Sequence, residues 1–363
     1  MTSTTSDVAR NRRVATWLFS VCALVFLMVV LGGFTRLTGS GLSMTDWRPV
    51  TGILPPMSEA GWAEEFTRYQ QSPEFAKVNS HMDVAAFKGI FWLEYLHRLL
   101  GRLIGIAFFV PFVVFAWRGD IRPREYPRYI AMFVLGGMQG LLGWYMVKSG
   151  LVDVPHVSQY RLTAHLALAF FVYGFILWSA LSLWFSADGS GRHPWFARTA
   201  ALTGLLVVTI LSGGFVAGLK AGKIYNTFPL MGDKLVPDGL FALSPVARNF
   251  FENATTAQFD HRLLALTTFT LIVVYWWRSR RAALPRRATI GSSALLHTAS
   301  LQVILGVSTL LTSVPVLLGA LHQAVAMLLL TAALFLTHSL SRQPAEAVAP
   351  VDGFRASASP RHA

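Results

Sequence analysis

The sequence contains an unusual polar segment, Glu94-Tyr95-Leu96-His97-Arg98-Leu99-Leu100-Gly101-Arg102. It places a carboxylate, an imidazole and two guanidinium groups near the end of an otherwise apolar helix. A related stretch, Phe259-Asp260-His261-Arg262-Leu263-Leu264-Ala265, occurs in the second half of the chain. Ionisable residues inside a membrane span are costly and are therefore functional candidates. The two stretches predict a membrane protein with a related polar site in each half.

The composition of the whole chain is that of a membrane protein. Of its 363 residues, 53% are hydrophobic and only 13% are charged, whereas a soluble domain carries about 25% charged residues. The formal net charge is +13, but most of the excess basic residues lie in short loops between apolar runs, which argues against a nucleic-acid partner. Cys22 is the single cysteine of the sequence, so no disulfide can form within the chain.

Eight apolar runs are long enough to cross a membrane, which takes about 20 residues. They cover residues 14–37, 91–117, 129–147, 162–185, 199–219, 259–277, 291–312 and 316–338. The loops on one side are richer in Lys and Arg, so the positive-inside rule places both termini in the cytoplasm. The outer loops 38–90 and 219–258 are long enough to be functional lids. Within the first, residues 62–78 are predicted to form a short amphipathic helix on the surface.

An internal repeat divides the eight spans into two halves of four. Matching segments recur in spans 1 and 5, 3 and 7, and 4 and 8: Leu31-Gly32-Gly33-Phe34 with Ser212-Gly213-Gly214-Phe215, Met138-Gln139-Gly140-Leu141-Leu142-Gly143 with Leu301-Gln302-Val303-Ile304-Leu305-Gly306, and Ala164-His165-Leu166 with Leu321-His322-Gln323. Halves of four spans run in the same direction, which makes a parallel repeat about an axis along the membrane normal.

The predicted fold is therefore an all-α polytopic membrane protein of eight transmembrane helices, arranged as two repeat-related four-helix bundles. Its predicted segments are a cytoplasmic N-terminus (1–13), an N-terminal half (14–185), a cytoplasmic linker (186–198), a C-terminal half (199–338) and a disordered cytoplasmic tail (339–363). Each half is expected to hold one site.

Four of the ten histidines lie one or two turns inside the outer ends of the even-numbered spans: His97, His165, His261 and His322. Their common depth and repeat-matched positions are hard to explain as ordinary core histidines. Each half offers two histidines on separate helices and no thiolate, whereas a bare zinc or iron site needs three or four converging ligands. Two facing imidazoles suit the axial positions of a heme, and a bundle core supplies an apolar slot. We therefore predict a heme site toward the outer face of each half.

The charged residues beside these histidines differ between the halves. Arg98, Arg102 and Arg262 lie near the same outer level and are candidates to pair with heme propionates; snorkelling to lipid headgroups is the alternative. Glu94 precedes His97 by three residues and so lies on the same helix face, and the second half has no carboxylate at that position. A carboxylate beside a heme can stabilise a cation or move a proton; the alternative is an ion pair with Arg98. The asymmetry favours one reactive site and one permanent cofactor.

At these residues the sequence resembles the heme A synthases of bacteria and mitochondria, over nearly all of residues 14–340. The resemblance is carried by residues 35–44 with Asp46-Trp47, 94–102, 225–231, 259–264 and 317–323. It implies an oxidoreductase that oxidises the C8 methyl group of heme O to a formyl group through a hydroxymethyl intermediate. The chain has no cysteine pair in the first outer loop and so looks more like the proteobacterial and mitochondrial branch.

The resemblance also implies a division of roles between the halves. His97 and His165 would line the site for heme O, with Glu94 as the catalytic carboxylate, and His261 and His322 would ligate a heme b cofactor. Heme O synthase, the farnesyltransferase that precedes this step, is the expected transient partner, and the bacterial inner membrane is the expected location. The sequence indicates neither the electron acceptor nor the oligomeric state, so a homo-oligomer stays open.

Two other classes of protein stay open on the spacing of residues. A di-heme electron carrier, resembling membrane cytochromes b, explains all four histidines and predicts two permanently bound, similar hemes, but it leaves Glu94 unexplained. From spacing alone this class and an enzyme are about equally supported. A transporter with proton-coupling residues predicts no heme, and its polar groups should lie near the midplane of the membrane rather than at the outer ends of the helices.

Overall fold

The computed structural model describes residues 5–46, 53–151, 157–185 and 191–341 of the chain. This part of the chain is built of helices and contains no β-strand. Its α-helices, in chain order, are α1 (Thr5–Leu37), α2 (Glu59–Gln70), α3 (Pro73–Lys77), α4 (Val84–Trp117), α5 (Tyr126–Gly150), α6 (Gln159–Trp184), α7 (Phe196–Gly218), α8 (Asn249–Glu252), α9 (Ala254–Ser279), α10 (Arg286–Leu311) and α11 (Val316–Ser341). The short helices α2, α3 and α8 lie in the two long outer loops.

Seven of the described helices are long and apolar enough to cross a membrane: α1, α4, α5, α6, α7, α10 and α11. Each covers one predicted span, which confirms an all-helical, multi-pass membrane protein. Helix formation is expected there, because backbone groups in lipid must find their hydrogen-bond partners within the protein.

The predicted sixth span, residues 259–277, lies within α9, which is not among the seven. The helix has 26 residues, about 39 Å at 1.5 Å per residue, so its length suffices for a span. Its outer end carries the polar run Asp260-His261-Arg262, and threonines and Arg278 lower the hydropathy of the rest. The eight-span arrangement therefore stays a prediction.

Two helix ends differ from the predicted segment boundaries. Helix α1 begins at Thr5, inside the predicted N-terminal segment 1–13, and α11 continues to Ser341, inside the predicted tail 339–363. Hydropathy marks the apolar part of a helix but not the polar turns that continue it into water. The rest of the tail, residues 342–363, and residues 186–190 of the predicted linker lie outside the described residues.

The first outer loop folds onto α4. The helix predicted over residues 62–78 is two helices, α2 and α3, each begun by a serine that accepts a backbone hydrogen bond, Ser58 and Ser72. A proline at the first position starts α3. The apolar face of α2 is buried in an aromatic cluster with α4, whose buried members are Trp62, Phe66, Tyr69, Phe87, Phe91 and Tyr95. Burying each such ring contributes roughly 1.5–3 kcal/mol, so α2 is a packed part of the protein.

The long helices share two buried apolar clusters. One is formed mainly by α1, α4, α5 and α6, and the other by α7, α9, α10 and α11. Helix α11 contributes to both clusters, because Met327 and Leu330 belong to the first and Leu329 to the second. The clusters follow the two halves of the sequence repeat.

Glycines allow the helices of the two clusters to approach closely. A Cβ atom at Gly33 of α1 would lie 3.1 Å from Oε1 of Gln323 of α11, and one at Gly214 of α7 would lie 3.0 Å from Oγ1 of Thr163 of α6. The Gln323 Nε2 also donates a hydrogen bond to the Val29 carbonyl group, at 2.7 Å. Small residues are the usual means of close helix packing in membranes. The Gly-Gly pairs that mark the repeat thus have equivalent places in the fold.

Candidate functional site

Each of the four repeat-matched histidines packs against a glycine of another long helix of its own half. A Cβ atom on these glycines would lie within about 3 Å of an imidazole ring: at 3.1 Å for Gly32 and His97, 3.0 Å for Gly143 and His165, 3.0 Å for Gly213 and His261, and 2.9 Å for Gly306 and His322. Any larger residue would displace the ring or the helix. These glycines mark the repeat in the sequence, but their contact with the histidines was not predicted.

The structure places the two histidines of each predicted pair on separate helices, within electrostatic range of each other. His97 and His165 are close enough to interact electrostatically, and so are His261 and His322. All four residues are partly buried. Each pair joins two separate helices of one half, α4 with α6 and α9 with α11.

Hydrogen bonds to the imidazole nitrogens are also repeated between the halves. Gln139 of α5 places Nε2 3.3 Å from Nε2 of His165, and Gln302 of α10 does the same with His322. The Ser212 hydroxyl group lies 2.8 Å from Nδ1 of His261. These partners fix the direction of three of the rings, which is the usual role of the outer shell of a metal ligand.

The residues present fit a heme better than a bare metal ion. In the part of the chain that the structure describes, no group of three or more His, Cys, Asp or Glu side chains converges to hold a metal. Nδ1 of His165 and of His322 is buried there without a hydrogen-bond partner. Each half therefore supplies two imidazoles on separate long helices, each packed against a glycine, which is the donor set for axial ligation of a heme.

The turn after α1 carries the first outer loop back to α4. Gly39 has a φ of 70°, a left-handed conformation that glycine adopts without strain, and the Ser40 N–H donates to the Thr35 carbonyl group at 2.9 Å. The Ser43 hydroxyl group then reaches α4 at the Ile90 carbonyl group, 3.3 Å away. The conformation explains Gly39 and Ser43 of this segment. Trp47, which belongs to the same motif, lies outside the described residues.

Glu94 is 2% exposed and is held by four hydrogen bonds. Its Oε1 accepts from Nη2 and Nε of Arg98 at 2.5 and 3.1 Å. Its Oε2 accepts from the Ser43 hydroxyl group and the Met44 N–H at 2.7 and 2.8 Å. Arg98 also donates to the carbonyl groups of Met44 and Asp46. The ion pair expected as the alternative role of Glu94 is present, and together the two residues fasten the first outer loop to α4.

The second half fastens its outer loop from the equivalent positions. Gln258 precedes His261 by three residues, as Glu94 precedes His97, and its Nε2 donates to the Tyr225 carbonyl group at 3.0 Å. Arg262, equivalent to Arg98, donates to the Tyr225 carbonyl group at 2.9 Å, and its other bonds go to the carbonyl groups of Thr227 and Leu230. This shared role was not predicted, although each pair has the i,i+4 spacing that joins side chains on one helix face.

Two of the candidate arginines occupy related positions on α4 and α9, because Arg98 and Arg262 each follow a candidate histidine directly. Arg98 divides its hydrogen bonds between Glu94 and two loop carbonyl groups. Arg262 donates to three loop carbonyl groups, while its Nε is buried without a partner among the described residues. Arg102 lies one turn beyond Arg98 on α4, and its Nη1 atom is buried. These groups are cationic donors at the level of the histidine pairs.

Replacing the glycines beside the histidines should weaken heme binding selectively. Overpacking costs about 1–3 kcal/mol, so Gly143→Ala or Gly213→Ala should reduce heme affinity in its own half by roughly tenfold or more. Gly140 on α5 and Gly204 on α7 have open space where a Cβ atom would stand, with nothing within 4 Å, and give same-helix controls. The measurement is the ratio of heme to purified protein by absorbance. Equal heme content in a test variant and its control would show that the contact between glycine and imidazole does not affect heme binding.

The fold and the two sites define a multi-pass helical membrane protein with paired histidines of the heme-binding type. Residues 15–334 match the family model described as COX15-CtaA, cytochrome oxidase assembly protein. The chain belongs to this family, whose curated members include the heme A synthases.

Similarity to those relatives extends over almost the whole chain. A protein named heme A synthase from Nitrosospira multiformis is 50% identical over 344 residues, which are 94% of this chain and 97% of the relative. One of the same name from Parvibaculum lavamentivorans is 48% identical, over 92% of this chain and 96% of the relative. Heme A synthase COX15 of Homo sapiens is 46% identical, over 93% of this chain and 84% of the relative.

Proposed function

We propose that this protein converts heme O to heme A, oxidising the C8 methyl group to a formyl group through a hydroxymethyl intermediate, for assembly into cytochrome oxidases. The family match and the relatives' names support this activity. The observation in the structure that carries it is the pair of matched histidine sites, only one of which has a carboxylate three residues before its histidine, Glu94, where the other has Gln258. The two sites are built alike but differ in acid–base chemistry. This difference suits one site that binds a substrate and one that binds a cofactor.

The roles of the two sites follow from this difference. His97 and His165 line the site for heme O, and Glu94 is the catalytic carboxylate that moves a proton during methyl oxidation. His261 and His322 ligate heme b, which supplies the redox centre that the oxidation requires. The glutamines and Ser212 orient the imidazoles, and the aromatic cluster over α4 limits access of water to the first site.

The arginines are proposed to receive the propionates. Arg98 and Arg102 would serve the first site and Arg262 the second, where its buried Nε has a donor to offer. Guanidinium groups bind carboxylates through charge-assisted hydrogen bonds. Since Arg98 and Arg262 also hold the outer loops, propionate binding and loop position would be linked.

We further propose eight spans in two four-helix bundles, with α9 as the sixth span. The matched contacts of α4 and α9 with their histidines, glycines and outer loops support equal depth for the two helices. Both termini would then lie in the cytoplasm of a bacterial inner membrane, with both hemes toward the outer face. Heme O synthase is the proposed transient partner, because its farnesylated product reaches this protein most directly through the lipid.

Expression in a host that makes heme O but no heme A tests the activity. Hemes extracted from the membranes are separated by chromatography and identified by mass, and heme A or its hydroxymethyl precursor should appear only when the chain is expressed. A variant with His97 replaced by Ala is the matched negative control. Heme b and heme O alone, with nearly two hemes b per purified chain, would refute the proposal and indicate the di-heme electron carrier.

A further inference from the structure

A second buried carboxyl group lies in the first outer loop, within electrostatic range of Glu94. Glu74, on α3, is 6% exposed, and its Oε2 is buried without a hydrogen-bond partner among the residues that the structure describes. The titratable groups that act on it come from two other elements, the Tyr69 hydroxyl group of α2 and the Glu94 carboxyl group of α4. No part of the function described so far uses this residue.

The side chains around Glu74 favour a proton on its carboxyl group. Tyr69 stacks on Phe87 with ring centroids 5.1 Å apart, so its ring is fixed within the aromatic cluster. The Asn79 amide donates to the Tyr69 hydroxyl oxygen at 2.7 Å, which leaves the hydroxyl hydrogen free to point at the Glu74 carboxyl group beside it. A buried carboxylate without a full set of hydrogen-bond partners is energetically costly. An acidic residue at a solvent-facing position of the same short helix would avoid this cost.

Two effects favour the protonated form of Glu74. Burial, and then the negative charge of Glu94, raise the pKa of Glu74 to about 7, against a smaller opposing effect of Tyr69. Two carboxyl groups that share one region hold a single negative charge more easily than two. A group whose pKa lies near the working pH both accepts and releases protons efficiently.

We propose that Glu74 is a proton-exchange residue of the first site, which takes up a proton released on the Glu94 side and passes it to the outer aqueous phase. The inference rests on the proposed function, since oxidation of a methyl group releases protons. In the step, the Glu74 carboxylate gains one proton to become a neutral acid and then returns it to water, with no electron transferred. Glu74 acts through Glu94 and touches neither heme.

The first test does not depend on heme chemistry. Infrared spectra of the purified protein should show a protonated carboxyl band that disappears as the pH rises through about 7. The band should be absent from Glu74→Gln, which keeps the shape of the side chain, and present in Glu59→Gln, a control in an exposed ion pair with Lys88. A wild-type protein without such a band, or a Glu74→Gln protein that keeps it, would overturn the proposal.

The second test is the pH profile of heme A formation. Wild-type turnover should increase through about pH 7, because only the deprotonated Glu74 accepts a proton. The Glu74→Gln protein should have a flat profile, near the wild-type rate at about pH 5.5 and several-fold slower at about pH 8. A uniform loss at every pH would show a structural role and overturn the proposal. If the wild-type protein formed no heme A, the proposed function would fail, and the infrared titration would still decide whether Glu74 exchanges protons.

Discussion

The His261→Ala and His322→Ala proteins are expected to lose the resident heme b. Each substitution would remove one of the two proposed heme ligands and leave a cavity beside Gly213 or Gly306, which pack against the imidazole rings. Loss of an outer-shell partner alone typically reduces metal affinity by about 10- to 100-fold, so loss of a ligand should reduce heme b per chain by about tenfold or more. The measurement is heme b in the purified protein, relative to protein concentration.

His297 provides the matched control for that experiment. It lies on the long helix α10 with its Nδ1 2.7 Å from the Ser293 carbonyl group, and it belongs to neither pair. His297→Ala should therefore keep heme b at the wild-type ratio. His97→Ala and His165→Ala should keep heme b as well, because they alter only the proposed substrate site. Full retention of heme b in both C-terminal variants, with loss in the N-terminal ones, would reverse the assignment of the sites.

Seven of the spans, and the matched positions of the histidines within them and α9, could be predicted because strong, local rules apply to them. A membrane admits helices wherever an apolar run is long enough, and a repeat aligns one half with the other. His165 and His322 are conspicuous for that reason: an imidazole in an apolar run is rare, and two in matched places are rarer. The hydropathy rule is weaker for α9, because the candidate functional residues lower the hydropathy of this helix.

The connections between distant segments could not be predicted in the same way. Ser43 and Glu94 are 51 positions apart and meet through a hydrogen bond of 2.7 Å, a contact that no periodicity indicates. Amphipathicity identified residues 62–78 as helical, but it cannot distinguish a face that packs on lipid from one that packs on α4. Glu74 was missed because a single acidic residue in a polar loop gives no sign of burial; only the fold turns it inward.

Glu94→Ala and Glu94→Gln are both expected to abolish heme A formation while heme b stays at the wild-type ratio. General acid–base groups contribute about 10²- to 10⁴-fold to a rate, so turnover should fall by at least about 100-fold.

The hydrogen bonds of Glu94 add a condition to this proton-moving role. A carboxylate has about four acceptor positions, and the donors of Arg98, Ser43 and Met44 fill them. Glu94 can take a proton only when one donor leaves, and Ser43 and Met44 lie on a loop.

The two variants separate catalysis from the fastening of the loop. The Glu94→Gln variant keeps one carbonyl oxygen, which can still accept from the Ser43 hydroxyl group and the Met44 N–H of the loop. Glu94→Gln should therefore keep the loop in place and still lose product, whereas a residue needed only for position would tolerate the change. Hemes extracted from both variants, and from Gln258→Ala as the matched loop variant, provide the measurement. Normal heme A production by Glu94→Gln together with its loss in Glu94→Ala would make Glu94 a positioning residue, and the proton-moving role would pass to another group of the first site.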